Sequence, residues 1–151
     1  MPSLRRELLD NHLVATREER ERRETYDARY RTEILDANLQ IEREAVGSDY
    51  GNNGFTTVAQ ADLMIDAVKL TPADLLLDVG AGAGWPGLYL GLKTGCRVVL
   101  SDLTLPGMQR AKRRAVADGT AGRTAVVVAS ARQLPFRPDS FDAMVHTDVL
   151  C

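Results

Sequence analysis

Leu75-Leu76-Leu77-Asp78-Val79-Gly80-Ala81-Gly82-Ala83-Gly84-Trp85-Pro86-Gly87 sets the reading of the whole chain. Its first part is a short apolar run of Leu and Val, the pattern of a strand buried on both faces. The run ends in alternating glycines. Pro86, with φ preset and no N–H to lose, suits the first turn of a helix that follows. Strand, glycine turn and helix in succession bring backbone amides and a helix N-terminus up to a nucleotide-like ligand. The alternative is a plain tight turn, but this many glycines exceed what a βα connection needs.

Toward the C-terminus the pattern repeats. A helix is expected over about 86–94, then a second buried strand from Arg97 to Ser101 that ends at Asp102. Pro106 starts and Gly119 follows a helix over about 106–118. Further strands are predicted at Ala125 to Ala129 and Asp142 to His146. Strands alternating with helices mean an α/β fold, a parallel sheet with right-handed crossovers. Arg110, Lys112, Arg113 and Arg114 spread around the 106–118 helix, which reads as a solvated helix rather than a nucleic-acid patch.

Toward the N-terminus, residues 1–46 form a charged helical segment and residues 47–151 the Rossmann-like unit. Leu4, Leu8, Leu9 and Leu13 make one short apolar stripe, and Tyr26, Tyr30, Ile34 and Ile41 another. Between them Arg17 to Glu24 has no apolar face, and its mixed charges allow only weak i,i+4 pairs. The segment reads as a solvated helix pair packed by its stripes. The other reading is a cap over a ligand site or a partner-binding arm. Gly47 suits a helix C-cap. Asp49 to Thr57 is a loop by composition, leading into a helix over about 58–69 that Thr56 or Thr57 can cap. Tyr50 and Thr57 are its candidate substrate or lid residues.

The 151 residues suffice for one domain, and 44% apolar with 26% charged residues is ordinary for a soluble globular protein. A net charge of −2 gives no bulk attraction to nucleic acid or an anionic membrane. Cys96 and Cys151 make neither a metal cluster nor a disulfide framework, so a reducing cytoplasm is the expected compartment. No signal peptide is visible, nor any apolar run near the roughly 20 residues a membrane span needs.

Two carboxylates bracket the glycine turn: Asp78 ends the first strand and Asp102 the second, 24 residues later. In an open α/β sheet the ligand crevice lies at the carboxyl ends of the strands, where the strand order switches. Asp102 is placed to accept from ribose hydroxyls, and Asp78 where a cationic or N–H-rich group would be welcome; for each the alternative is a solvated strand end or helix cap. Gly82-x-Gly84-x-x-Gly87 also matches the dinucleotide fingerprint. A pyrophosphate would be repelled by the carboxylate in Asp78-x-Gly80-x-Gly82-x-Gly84, whereas an ammonium would be attracted.

With these residues in hand, the sequence resembles the class I S-adenosylmethionine-dependent methyltransferases, in particular the small-molecule group called type 11. The Asp-x-Gly-x-Gly-x-Gly motif, Asp102 in Val98-Val99-Leu100-Ser101-Asp102-Leu103, and Leu134-Pro135-Phe136 with Ser140-Phe141-Asp142 carry the resemblance over about residues 50–151. It implies S-adenosyl-L-methionine as cofactor. Its methionine end would lie on the turn from Gly80 through Ala81 and Gly82 to Gly84, with Asp78 near the amino group. Asp102 would take the ribose diol and Leu103 the adenine. Ser130 stands where the family usually has an Asp, followed by Ala131, whose N–H serves regardless of side chain. His146 and Thr147 would lie beside the sulfonium, with His146 the candidate general base if the acceptor must lose a proton.

The resemblance also implies a sheet in the order 3-2-1-4 whose C-terminal strands are missing, so the chain is expected to be truncated after the fourth strand. Its exposed fourth-strand edge then invites a homodimer or a partner chain. The leading function is methyl transfer to a small organic acceptor. A catalytically inactive binding or assembly module and, on glycine spacing alone, an NAD-dependent oxidoreductase are the alternatives.

Overall fold

The computed structural model describes residues 15–51 and 53–149. The Leu4, Leu8, Leu9 and Leu13 stripe and Cys151 lie outside the described residues. Two helices, α1 (Arg17–Arg31) and α2 (Asp36–Val46), precede α3 (Val58–Val68), β1 (Leu75–Val79), α4 (Gly87–Thr94), β2 (Arg97–Asp102), α5 (Leu105–Ala117), a 3-10 turn (Ala121–Arg123), β3 (Thr124–Val128) and β4 (Ala143–His146).

The four strands form one parallel sheet in the order β3-β2-β1-β4. With the helices that flank it, this is a Rossmann-like fold. β1 is central because it can be buried on both faces: Leu76 and Leu77 are almost wholly removed from solvent, and β2 matches it with Val98 and Leu100. These side chains merge with Leu88 and Leu90 of α4 and with Met108, Ala111 and Ala115 of α5 into one core. On α5 the small and apolar residues recur at helical spacing, so one stripe seals the sheet. The parallel register of β1 with β2 and of β2 with β3 puts Val79, Asp102 and Val128 at one end of the sheet.

The helix boundaries follow local chemistry. Thr16 accepts from the Glu19 N–H to cap α1, and Thr57 with Gln60 forms a capping box on α3. Gly47 ends α2 in the left-handed region at φ 82°. Pro86 sits one residue ahead of α4 rather than inside it. Between α1 and α2 the chain leaves the helix at Thr32, whose N–H turns back onto Ala28 and Arg29. That break divides the stripe expected to run from Tyr26 to Ile41: Tyr30 is buried, whereas Ile41 on α2 is exposed.

The arginines of α5 also differ from a solvated helix face. Arg114 donates to both oxygens of Asp118 at 2.9 Å and to Asp49 Oδ1 at 2.8 Å, and its guanidinium lies 3.9 Å from the Tyr50 ring centroid. Arg110 donates to the Thr32 carbonyl and stacks against the Tyr30 ring. One basic helix therefore fastens two N-terminal segments to the sheet. Among the described residues no helix is long and apolar enough to cross a membrane.

Candidate functional site

The site begins with the path of the backbone after β1. Gly80, Gly82 and Gly84 have φ of 76°, 52° and 100°, the left-handed region that side chains disfavour. The turn is fastened to the end of β2: the N–H groups of Gly80 and Ala81 both donate to the Ser101 carbonyl, at 2.7 and 3.1 Å. Gly82 N–H donates to Asp102 Oδ2 at 2.9 Å. The other oxygen, Oδ1, accepts from the Thr104 N–H and hydroxyl at 2.8 and 2.7 Å. Asp102 thus holds the glycine turn to the start of α5.

Above this floor lies a cavity of about 360 Å³. Gly80, Ala81, Gly82, Asp102, Leu103, Ser130 and Ala131 line it, so the structure gathers these sequence-predicted residues on one wall. α1 forms the opposite side, with Thr16, Arg22, Tyr26 and Tyr30, and Asn53, Gly54, Trp85, Arg132, Thr147, Asp148 and Val149 close the rest.

Asp78, Gly84, His146, Tyr50 and Thr57, also singled out from the sequence, are not among the residues that line this cavity. Asp78 shares a strand face with Leu76 and turns under the glycine loop, where its Oδ2 accepts from the Gly87 N–H at 2.8 Å. The approach is so close that a Cβ on residue 87 would fall 2.5 Å from that oxygen. Asp78 Oδ1 is buried without a partner, and burial pushes the carboxyl up to about 7, with the Asp102 charge adding to the rise and the Gly87 N–H opposing it. Gly84 is buried beneath Leu88 and Ala111. His146 is exposed on β4, and the chain turns into the cavity only at Thr147. Tyr50 is buried with its hydroxyl donating to Asp118 and its ring against Trp85, while Thr57 is engaged as the α3 cap.

The sequence reading missed Tyr30, Trp85 and Asp148. Tyr30 is 7% exposed, packs over the glycine turn and hydrogen-bonds Asn53; burial pushes its phenol up to about 12. Gly107 makes room for it, since a Cβ there would crowd Thr104, the Gly82 carbonyl and the Tyr30 ring. The Tyr26–Tyr30 spacing and the glycine in α5 are the only signals of this in the sequence. The sole tryptophan, Trp85, donates through Nε1 to the Thr56 carbonyl at 2.8 Å.

The parallel sheet and the carboxylate-braced glycine turn at the carboxyl ends of β1 and β2 define an α/β domain of the Rossmann-like type, with its cavity where such sheets place their ligand crevice. Residues 77–151 match the family model described as a methyltransferase domain. A curated relative, the methyltransferase GfsG of Streptomyces halstedii, is 36% identical over 89 residues, which cover 55% of this chain and 32% of GfsG. Among solved structures, geranyl diphosphate C-methyltransferase from Streptomyces coelicolor A3(2) superposes with a TM-score of 0.66 at 19% identity, over 88% of this chain and 55% of that one. A geranyl diphosphate methyltransferase bound to geranyl diphosphate and sinefungin gives 0.55 at 26% identity, over 58% of this chain and 33% of that one. Through these matches the chain is similar to S-adenosylmethionine-dependent methyltransferases, and it spans about a third of the length of the first curated relatives it matches.

Proposed function

We propose that the cavity binds S-adenosyl-L-methionine and that the chain serves transfer of its methyl group to a small organic acceptor. The observation that carries this reading is Asp102: one carboxylate braces the glycine turn through Gly82 N–H and also lines the cavity. An ionised carboxylate offers about four acceptor positions, and three are taken by the chain, so one remains for a ribose hydroxyl. Gly80, Ala81 and Gly82 line the cavity beneath Val149 and Tyr30 and would hold the methionine end, Leu103 would offer an apolar surface for the adenine, and the Ala131 N–H would serve its edge. Ser130 replaces a charged acceptor by a neutral one, which weakens its hydrogen bond to the adenine amino group.

The cofactor supplies a methyl group on a positively charged sulfur that any aligned nucleophile can take. The chain's part is positioning and water exclusion, which can supply much of the barrier reduction. The glycine turn and Asp102 fix one side of the ligand, while α1, from the 1–46 segment, covers it with Tyr26 and Tyr30. A small organic acceptor is supported by the related methyltransferase that binds geranyl diphosphate. Action in the cytoplasm fits the absence of any disulfide framework in the cysteine content.

Calorimetry with S-adenosylhomocysteine, with NAD and the Asp102→Ala variant alongside, tests the reading. Binding of S-adenosylhomocysteine but not NAD, lost in the variant, is expected; preference for NAD would overturn it. A second reading rests on the β4 edge, which pairs with β1 on one side only and exposes Met144. A folded chain that dimerises and binds no S-adenosylhomocysteine would make it an assembly module.

A further inference from the structure

Asp148 follows β4, lines the cavity, and joins the end of that strand to a segment far away in sequence. Its Oδ2 accepts from the Phe55 N–H at 3.0 Å, the Thr56 N–H at 3.3 Å and the Thr56 hydroxyl at 3.1 Å. To do so it adopts φ 55°, a left-handed conformation that a non-glycine residue keeps only where the surroundings over-determine it. The segment it grips is held from below by the Trp85 Nε1 bond to the Thr56 carbonyl. Just before that segment, Asn53 and Gly54 line the cavity, and Asn53 hydrogen-bonds Tyr30 of α1.

We propose that Asp148 is a positioning residue that latches the 53–57 segment, and through Asn53 the α1 roof, over the cofactor cavity. The inference rests on the cofactor reading for its purpose but not for its mechanics. α1 buries little besides Tyr30, so beyond its packing on α5 and the Arg110 contacts it depends on polar ties to neighbouring segments. A carboxylate oxygen that gathers three donors is a strong tie between the β4 end and the 53–57 segment, because charge-assisted bonds are shorter and stronger than neutral ones. Loss of the latch frees the segment without touching the sheet, so the bound cofactor escapes faster while the core stays folded.

Trp85 is the only tryptophan and is bonded to the latched segment, so its fluorescence reads the latch directly. The test uses the full chain with Asp148→Ala, Asp148→Gly and Asp148→Asn. The glycine variant keeps the left-handed backbone without strain and removes only the carboxylate. The asparagine variant keeps an acceptor oxygen. Acrylamide quenching of Trp85 is measured without ligand, and S-adenosylhomocysteine dissociation by stopped flow. The alanine and glycine variants should expose Trp85 to quencher and speed dissociation about tenfold, the scale of one hydrogen bond to a charged group. Asparagine should recover most of both. Should the alanine variant unfold, the glycine variant and Thr56→Val, which removes one donor, carry the same comparison. Wild-type quenching and dissociation in the glycine variant would overturn the latch. If the wild-type chain binds no S-adenosylhomocysteine, the cofactor reading fails while the quenching comparison still decides the latch.

Discussion

The Tyr30 hydroxyl sits over Gly82 so closely that a methyl group on residue 82 would collide with it. A helix from the N-terminal segment and the turn after β1 thereby share one contact surface. Gly82 also has φ 52°, so its lack of a side chain is required twice, by backbone conformation and by space.

Gly82→Ala should therefore cost about 1–2 kcal/mol from the left-handed backbone alone and displace α1 besides. In the Tyr30→Ala background the steric part disappears. A double-mutant cycle on thermal stability and on S-adenosylhomocysteine affinity should show the two substitutions costing less together than their sum. Strict additivity would mean that the helix does not bear on the turn.

Asp102→Ala removes the acceptor for Gly82 N–H as well as the one offered to the ligand. S-adenosylhomocysteine affinity should fall roughly 10- to 100-fold, matching the worth of a hydrogen bond to a charged group. Asp102→Asn should lose less, because its side-chain oxygen can still accept. Calorimetry of both variants measures this.

Asp78 sets a pH dependence whose sign follows from its raised pKa. Burial lifts the carboxyl from an ordinary 3.8 to about 7, so between these values the folded chain holds a proton that the unfolded chain has released. The stability this proton represents is full below about pH 4 and is lost as pH rises through about 7. Asp78→Asn carries no such charge. Its melting temperature relative to wild type should rise from pH 5 to pH 8, and parallel curves would show that the carboxylate is not buried as described.

Arg114 ties Asp118, Asp49 and the Tyr50 ring together while remaining partly exposed. Its hydrogen bond holds the Asp49 carboxyl below the usual range, a contribution present above about pH 4 and lost on further acidification. Arg114→Ala should destabilise by about 1–2 kcal/mol, discounted for solvent screening. Arg114→Lys should recover only part, since one ammonium cannot reach Asp118 as Nε does and Asp49 as Nη1 does at the same time. Thermal melts at pH 7 and pH 3.5 check both statements, and the penalty should shrink at the lower pH.

The sheet, its strand order and the wall formed by Gly80 to Gly82, Asp102, Leu103, Ser130 and Ala131 were legible in the sequence by itself. Each depends on signals local to the chain: apolar runs for buried strands, glycines for left-handed turns, and an acid at a strand end, with the family resemblance supplying the order. Only the tertiary structure decided which side chains line the cavity. Asp78 and Asp102 look equivalent as strand-end acids, yet α4 packs over one and leaves the other on the cavity. Asp148 grips a segment 92 residues away, and Tyr30 covers a turn in a different part of the chain. Neither relation leaves a periodicity or spacing to read, because each arises where separately formed elements meet and only packing brings them within reach.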